Sequence, residues 1–253
     1  MYRQYFELIR YRVFVDLKSE SAQAYLGMLW WVLEPLLYLG AFYLIFEVFL
    51  QRGGEGFVGF LLCGLVFWRW FDATIKRASA SIQNSIGIIN QAYLPKWVFP
   101  ATEVASGTAR FVFVLALFLL FCVFYLGQVS SVWLSISFLL LVQLLLICGV
   151  SFTLAAIVPF FPDLRKIIDN TMMLLFYMSG IFFDIDKLND ELKFWLFLNP
   201  MAVLIQQYRM VLLQQELPAW QALMYILFLS LVFFVVGLVI CHKLDKRYVR
   251  VIN

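Results

Sequence analysis

A chain of 253 residues that is 64% hydrophobic and 14% charged, with a mean hydropathy of +0.88, carries more apolar surface than a soluble fold can hide. Only a bilayer solvates such a surface on every side, so the composition selects an integral membrane protein and an all-α one, since helices satisfy their own backbone. The net charge of +3 is too small to argue for a nucleic-acid partner.

Residues 1–28 alternate charged and apolar positions and contain no hydrophobic run of signal-peptide type. Within them Tyr2, Tyr5, Phe6, Ile9, Val13 and Phe14 recur at helical spacing, with Arg3, Glu7, Arg10 and Lys18 mainly on the other side. This predicts an amphipathic helix over 2–17 lying in the membrane interface, its cations, including Arg10 and Lys18, near anionic headgroups. The whole 2–28 stretch forms the interface region.

A spanning helix needs roughly 20 mostly apolar residues. Six segments qualify: 29–50, 57–75, 108–126, 132–161, 167–183 and 220–241. Arg69 and Asp72 interrupt the second, and Asp169 and Asn170 weaken the fifth. Thirteen lysines and arginines fall in the N-terminal segment, the loop between the second and third spans, the loop between the fourth and fifth, and the C-terminal tail; four fall on the other side. The bias predicts both termini in the cytoplasm.

Two connections are unusual. The segment 79–96 is too polar to span, yet Ile82, Ile86 and Ile89 repeat at three- and four-residue spacing. This predicts a short amphipathic cytoplasmic helix broken at Pro95, either packed on its own protein or docked to a partner. The segment 184–219 holds two short apolar stretches separated by Asn199-Pro200, each too short to cross. Two re-entrant helices entering from the outer face account for it; the alternative is a small helical cap.

Several chemistries are absent. The chain has no Gly-Lys pair and hence no phosphate-binding P-loop, no G-x-S-x-G, no H-E-x-x-H, and one histidine, His242. Cys63, Cys122, Cys148 and Cys241 lie in apolar runs and read as small core hydrophobes, not as metal ligands or disulfides. Ionisable residues within the spans are few, namely Glu34, Glu47, Arg69, Asp72 and Asp169, so the energy source falls to a partner.

The motifs, taken in order, resemble the membrane permeases of type-2 ABC exporters, specifically those of O-antigen and capsule (the Wzm and KpsM kind). Leu26-Gly27-Met28-Leu29-Trp30 followed by Pro35-Leu36 is similar to that family's entry into the first span. Gly64 through Trp68, then Tyr93-Leu94-Pro95-Lys96 with Pro100, then Phe160 through Arg165, then Leu198-Asn199-Pro200-Met201 with Tyr208-Arg209 follow in the family's order. The chain departs from the family pattern at Lys18-Ser19-Glu20-Ser21 and at Pro162. The resemblance implies a single permease domain over 1–253, working as a homodimer with two copies of a separate ABC ATPase that binds ATP and Mg, so this chain carries no cofactor and no catalytic site. It implies an ATPase-coupling helix with Ile82, Asn84, Ile86, Ile89, Leu94 and Lys96, an interface helix with Arg10, Phe14 and Lys18, and a re-entrant gate with Asn199, Pro200 and Arg209. The implied substrate is a lipid-linked glycan carried across a bacterial inner membrane from cytoplasm to periplasm.

Sugar rings stack their C–H faces on aromatic rings while their hydroxyls bond to polar rims, so a glycan path is expected to be rich in Tyr and Trp. Trp30, Trp31, Tyr38, Phe67, Trp68, Phe71 and Tyr177 are the candidate channel residues on this ground, with Tyr43 and Phe176 beside them; about half are expected to line the path, the rest to face lipid or pack. Two alternatives stay open: a type-2 ABC permease for capsule, teichoic acid, lipid or drug, and an integral-membrane enzyme that modifies lipids.

Overall fold

The structure is a computed structural model that describes residues 2–23, 27–49, 51, 54, 56–91, 94–127 and 130–244. Among these residues all regular structure is helical. In chain order the helices are α1 (Tyr2–Gln23), α2 (Trp30–Tyr43, running into a wider turn over Leu44–Phe49), α3 (Phe57–Ser79), α4 (Ser81–Asn84) and α5 (Ile86–Gln91). Then come α6 (Val98–Leu126), α7 (Ile136–Ile157), α8 (Leu164–Tyr177), α9 (Asp190–Phe197), α10 (Pro200–Arg209) and α11 (Trp220–Leu244).

The bundle is organised around α3, 78% of whose apolar stretch is buried, against 6% for α2 and 22% each for α6 and α11. Its neighbours are α2, α6, α7, α8 and α10. Buried Phe67 stacks on Tyr208 of α10 at 3.5 Å between ring centres. Trp70 stacks on Phe111 of α6 at 4.0 Å. The fully buried Gln143 of α7 donates from Nε2 to the Phe67 carbonyl at 2.9 Å, fixing α7 against the same helix. The outward faces of α2, α6 and α11 are studded with exposed Leu, Val and Phe, among them Leu37, Phe124 and Phe228. A soluble surface would not tolerate this; lipid does.

Among the described residues five helices are long and apolar enough to cross a membrane: Trp30–Phe49, Phe57–Ser79, Val98–Leu126, Ser131–Phe160 and Trp220–Lys243. The chain is therefore a multi-pass membrane protein. The bent pair α9 plus Pro200–Gln214, with 107° between its arms, is long and apolar enough for a sixth if taken as one broken span.

Over the expected fifth span, 167–183, the helix is continuous only as far as Tyr177. Its helix, α8, is 14 residues long and ends at Tyr177, about 21 Å of rise against a hydrocarbon core of about 30 Å. Gly180, at φ +65°, turns the chain there, and a Cβ at that position would press on Ile185 at 2.8 Å. The third span starts at Val98 rather than 108, because Pro100 falls in the first helical turn, where its missing N–H is no loss. The segment 79–96 is not one helix: it is the end of α3, then α4 and α5 separated at Ser85. The N-terminal helix is longer than 2–17 and reaches Gln23.

The closest helix pair is α7 with α11, and it depends on glycine. A Cβ on Gly149 would lie 2.6 Å from the Phe234 nitrogen and 2.8 Å from the Phe233 carbonyl carbon, both backbone atoms that cannot yield. Gly237 faces Phe152 and Thr153 in the same way. Thr153 Oγ1 and Cys241 Sγ add donors across the seam, to the Phe233 carbonyl at 3.4 Å and the Phe152 carbonyl at 3.4 Å. Small residues at a membrane helix crossing allow this backbone approach. Gly149→Ala is expected to cost about 1–3 kcal/mol, read as a lowered Tm of the purified protein. Gly40→Ala, with open space around the new methyl, should leave Tm unchanged or slightly raised.

Candidate functional site

Between α2, α3 and α8 lies a cavity of about 430 Å³. One wall is aromatic: Tyr38 and Phe42 from α2, Trp68 from α3, Phe176 and Tyr177 from α8. These rings form a connected set. Tyr38 meets Phe176 at 6.4 Å, Trp68 meets Phe176 at 5.8 Å, and Phe42 packs on Phe182 at 4.3 Å. The other part of the lining is ionic and polar: Arg69, Asp72 and Lys76 from α3, Asp169 and Asn170 from α8. Apolar faces for stacking thus adjoin charged rims for hydroxyl groups.

The charges are arranged as a ladder. Arg69 pairs with Glu34 of α2 and, at 3.5 Å, with Asp72; Lys76 pairs with Asp72 at 2.7 Å. Asp72 is nearly buried and lies between the two cations, one helical turn from each. The Glu34–Arg69 pair matters for architecture, because α2 has little else that is buried; Pro35 is its one buried residue. Arg69 also lines a smaller cavity of about 90 Å³ between α2, α3 and α6, together with Trp31, Glu34, Arg77 and Arg110 among others.

The end of α8 is positioned by two residues of the α9–α10 region. Asn199 caps α10, its Oδ1 accepting from the Met201 N–H at 3.0 Å, with Pro200 next in the first-turn position that favours proline. Its Nδ2 donates to Ser179 Oγ at 2.9 Å and to the Met178 carbonyl at 3.3 Å. Arg209 closes the other end of α10. Its guanidinium is 5% exposed and donates to the carbonyls of Gly180 (2.7 Å), Ile181 (3.0 Å) and Phe60 (3.0 and 3.2 Å), with the Phe60 ring 3.3 Å beneath it. Gly64 makes room for it: a Cβ there would sit 2.9 Å from Nη2. Together the two residues satisfy the carbonyls of the 178–181 turn in a place with little access to water.

The structure gathers Tyr38, Trp68 and Tyr177 of the expected channel residues at the cavity. It separates the others. Phe67 is fully buried in the core against Tyr208, and Phe71 is buried facing Leu146 and Ile168 in another recess. Trp31 lines the smaller cavity and meets Phe113 edge-on at 6.1 Å, and Trp30 is half-exposed outside both. Phe67 and Phe71 are on the inward face of α3, which a run of apolar residues does not reveal. Asn199 and Pro200 begin α10 and Arg209 ends it, with Arg209 a latch inside the bundle.

The isoleucines of 79–96 are divided between core and surface. Ile82 and Ile89 are buried with Phe99 and Ala155, with Leu94 packed against them. Lys96 is 1% exposed and donates to the Leu94 carbonyl at 3.1 Å. Ile86 is half-buried; Asn84 and Gly87 point outward. The apolar period thus marks the face that holds the segment to its own protein, and the outward face is polar. On α1, Arg10, Phe14 and Lys18 are exposed. The face against α6, however, is Tyr5, Arg12, Asp16 and Glu20. Tyr5 meets Trp97 at 6.0 Å, Arg12 lies over Phe99, Asp16 accepts from Ser106 at 3.3 Å, and Glu20 pairs with Arg77 and, at 2.9 Å, with Arg110. Ion pairing, not apolar period, docks the helix. Leu26 and Tyr93, which carried parts of the motif reading, lie outside the described residues, as do Lys246, Arg247 and Arg250.

Asn199→Ala is expected to cost about 1–3 kcal/mol, and Arg209→Gln about 3 kcal/mol or more, since carbonyls lose a charged donor while still buried. Both should lower Tm and expose 178–199 to limited proteolysis; an unchanged digestion pattern would contradict the latch.

No family model matches the chain. Comparison with curated proteins gives similarity over most of its length. It is 28% identical to the O-antigen export system permease protein RfbA of Myxococcus xanthus, over 86% of this chain and 84% of that protein. It is 27% identical to the RfbA of Klebsiella pneumoniae, over 94% and 92%, and 22% identical to the polysialic acid transport protein KpsM of Escherichia coli, over 91% of both. The curated homologues of this chain are thus type-2 ABC permeases of polysaccharide export, the family that the order of its motifs resembles.

Proposed function

We propose that this chain is the membrane-spanning subunit of an ATP-driven exporter that carries a lipid-linked polysaccharide of O-antigen type from cytoplasm to periplasm. It works as a homodimer in the bacterial inner membrane, with both termini cytoplasmic and two ATPase subunits that bind ATP and Mg. The observation that carries this reading is the cavity between α2, α3 and α8, where five aromatic side chains adjoin an ionic ladder. Rings of sugar can stack on the first and hydrogen-bond to the second, and the relatives are named for moving such polymers. Similarity to a polysialic acid transporter, at 22% identity, favours capsule-type polymer as the second substrate reading.

In this reading the segment 79–96 transmits the ATPase stroke through its outward residues Asn84, Ile86 and Gly87, while Ile82, Ile89, Leu94 and Lys96 anchor it to the bundle. The N-terminal helix rests in the interface with Arg10, Phe14 and Lys18 toward headgroups and lipid.

Deletion of the gene should abolish display of a surface polymer, and the wild-type chain should restore it. Trp68→Ala and Tyr177→Ala should each reduce display about tenfold, as expected for loss of stacking contacts, while Trp30→Ala should not. Equal display by all three variants would contradict the groove as the path. For coupling, Gly87→Asp should leave the permease folded and weaken co-purification with the ATPase, whereas Ile82→Asp should lower Tm; intact complex and ATPase turnover in Gly87→Asp would contradict the assignment.

A further inference from the structure

Away from the groove, the approach of α6 to α3 brings two cations together. Gly107 sits against Thr74, and a Cβ on it would lie 2.3 Å from Thr74 Oγ1. Arg110 follows Gly107 by one helical turn and Arg77 follows Thr74 by one, so a contact that glycine permits places both guanidiniums at the same junction. They share one acid. Glu20 of α1 pairs with Arg77 through Oε1, and its Oε2 lies 2.9 Å from the Arg110 Nε. The second contact is close but not aligned as a hydrogen bond, and the Arg110 Nε–H has no acceptor among the described residues. Two other acids, Asp16 and Glu103, act on Arg110 from beyond ion-pair distance, with Arg12 acting on Glu103.

Both arginines line the cavity of about 90 Å³ between α2, α3 and α6. Its charged lining is three guanidiniums, from Arg69, Arg77 and Arg110, against the single carboxylate of Glu34, which Arg69 already holds. Trp70 lines it too. This side chain is 5% exposed and stacked on Phe111, and its Nε1–H has no hydrogen-bond partner among the described residues. An indole N–H can only donate. Burying such a donor without an acceptor is costly, and the same holds for the Arg110 Nε–H. The cavity therefore suits a ligand that accepts and does not donate. Water accepts, but it brings protons of its own, and the one carboxylate of the lining is already paired. The volume is room for a halide ion with a few waters.

We propose that this cavity binds a small inorganic monoanion of halide size, held by the Trp70 indole N–H and the Arg110 guanidinium. The site is separate from the aromatic groove and does not depend on the export reading. Bound there, the anion supplements Glu20 in offsetting the charges of Arg77 and Arg110. Glu20 belongs to α1, and Trp31 and Pro35 of α2 also line the cavity. The anion thus tightens the junction that holds α1 and α2 to α3 and α6, and the stability of the protein depends on it.

The test uses the purified full-length chain in nanodiscs of zwitterionic phosphatidylcholine, with chloride as the probe. Sodium chloride replaces sodium gluconate, whose anion is too large for the cavity, at constant ionic strength. Tm should rise with chloride and saturate, and the chloride NMR line should broaden in the presence of the protein and sharpen on adding bromide. Trp70→Phe keeps a ring against Phe111 and removes the donor, so it should fold and need about tenfold more chloride for half the effect. Arg110→Gln should weaken chloride at least as much, and Arg110→Lys should restore part of it. Equal Tm of the wild-type chain in the two salts would overturn the site, as would an unchanged chloride dependence and linewidth in Trp70→Phe. If phosphatidylglycerol in gluconate reproduces the full effect of chloride, a lipid headgroup is the occupant and the proposal fails.

Discussion

The turn that follows α8 must find partners for its backbone carbonyls inside a largely apolar bundle, and Arg209 and Asn199 supply them. An unpaired carbonyl in such surroundings costs several kcal/mol. Arg209 spends its donors on Gly180, Ile181 and Phe60, and Asn199 uses its amide on Met178 and Ser179. Because α8 ends at Tyr177 and touches mainly α3, these contacts determine where its last turn sits. They also fix Phe176, Tyr177 and Phe182, three of the rings around the groove. The aromatic wall is therefore a consequence of satisfying a turn.

The opposite wall is fixed by a different device. Helix α2 buries little and is tied to α3 by the Glu34–Arg69 pair. The ladder from Glu34 through Arg69 and Asp72 to Lys76 runs along the ionic side of the groove, so aromatic and charged side chains form one adjoining surface.

Much of this was legible in the sequence, for identifiable reasons. Long apolar runs gave four of the spans closely, because a run of about 20 apolar residues has few other uses. Asn199-Pro200 announced the start of α10, since both residues have position-specific roles at a helix start. Periodicity misled where it could not say what lies opposite. Ile82 and Ile89 face their own core while Ile86 between them is half-buried, and α1 docks through Asp16 and Glu20, whose partners Ser106, Arg77 and Arg110 are distant in sequence. Likewise nothing local separates Trp68, which lines the groove, from Phe67, its neighbour in the core. An arginine and a glycine inside apolar stretches, Arg209 and Gly64, were the available signal for the latch, but only the fold shows that they meet.

The central claim is that polymer passes between α2 and α8. It is tested most directly by joining the two helices across the groove, at Tyr38→Cys and Phe176→Cys, whose native rings are 6.4 Å apart, with a cleavable thiol-to-thiol linker in intact membranes. The account predicts that linking stops polymer export while the ATPase complex stays assembled, and that cleaving the linker restores it. Export at the unlinked rate from fully linked protein would contradict it.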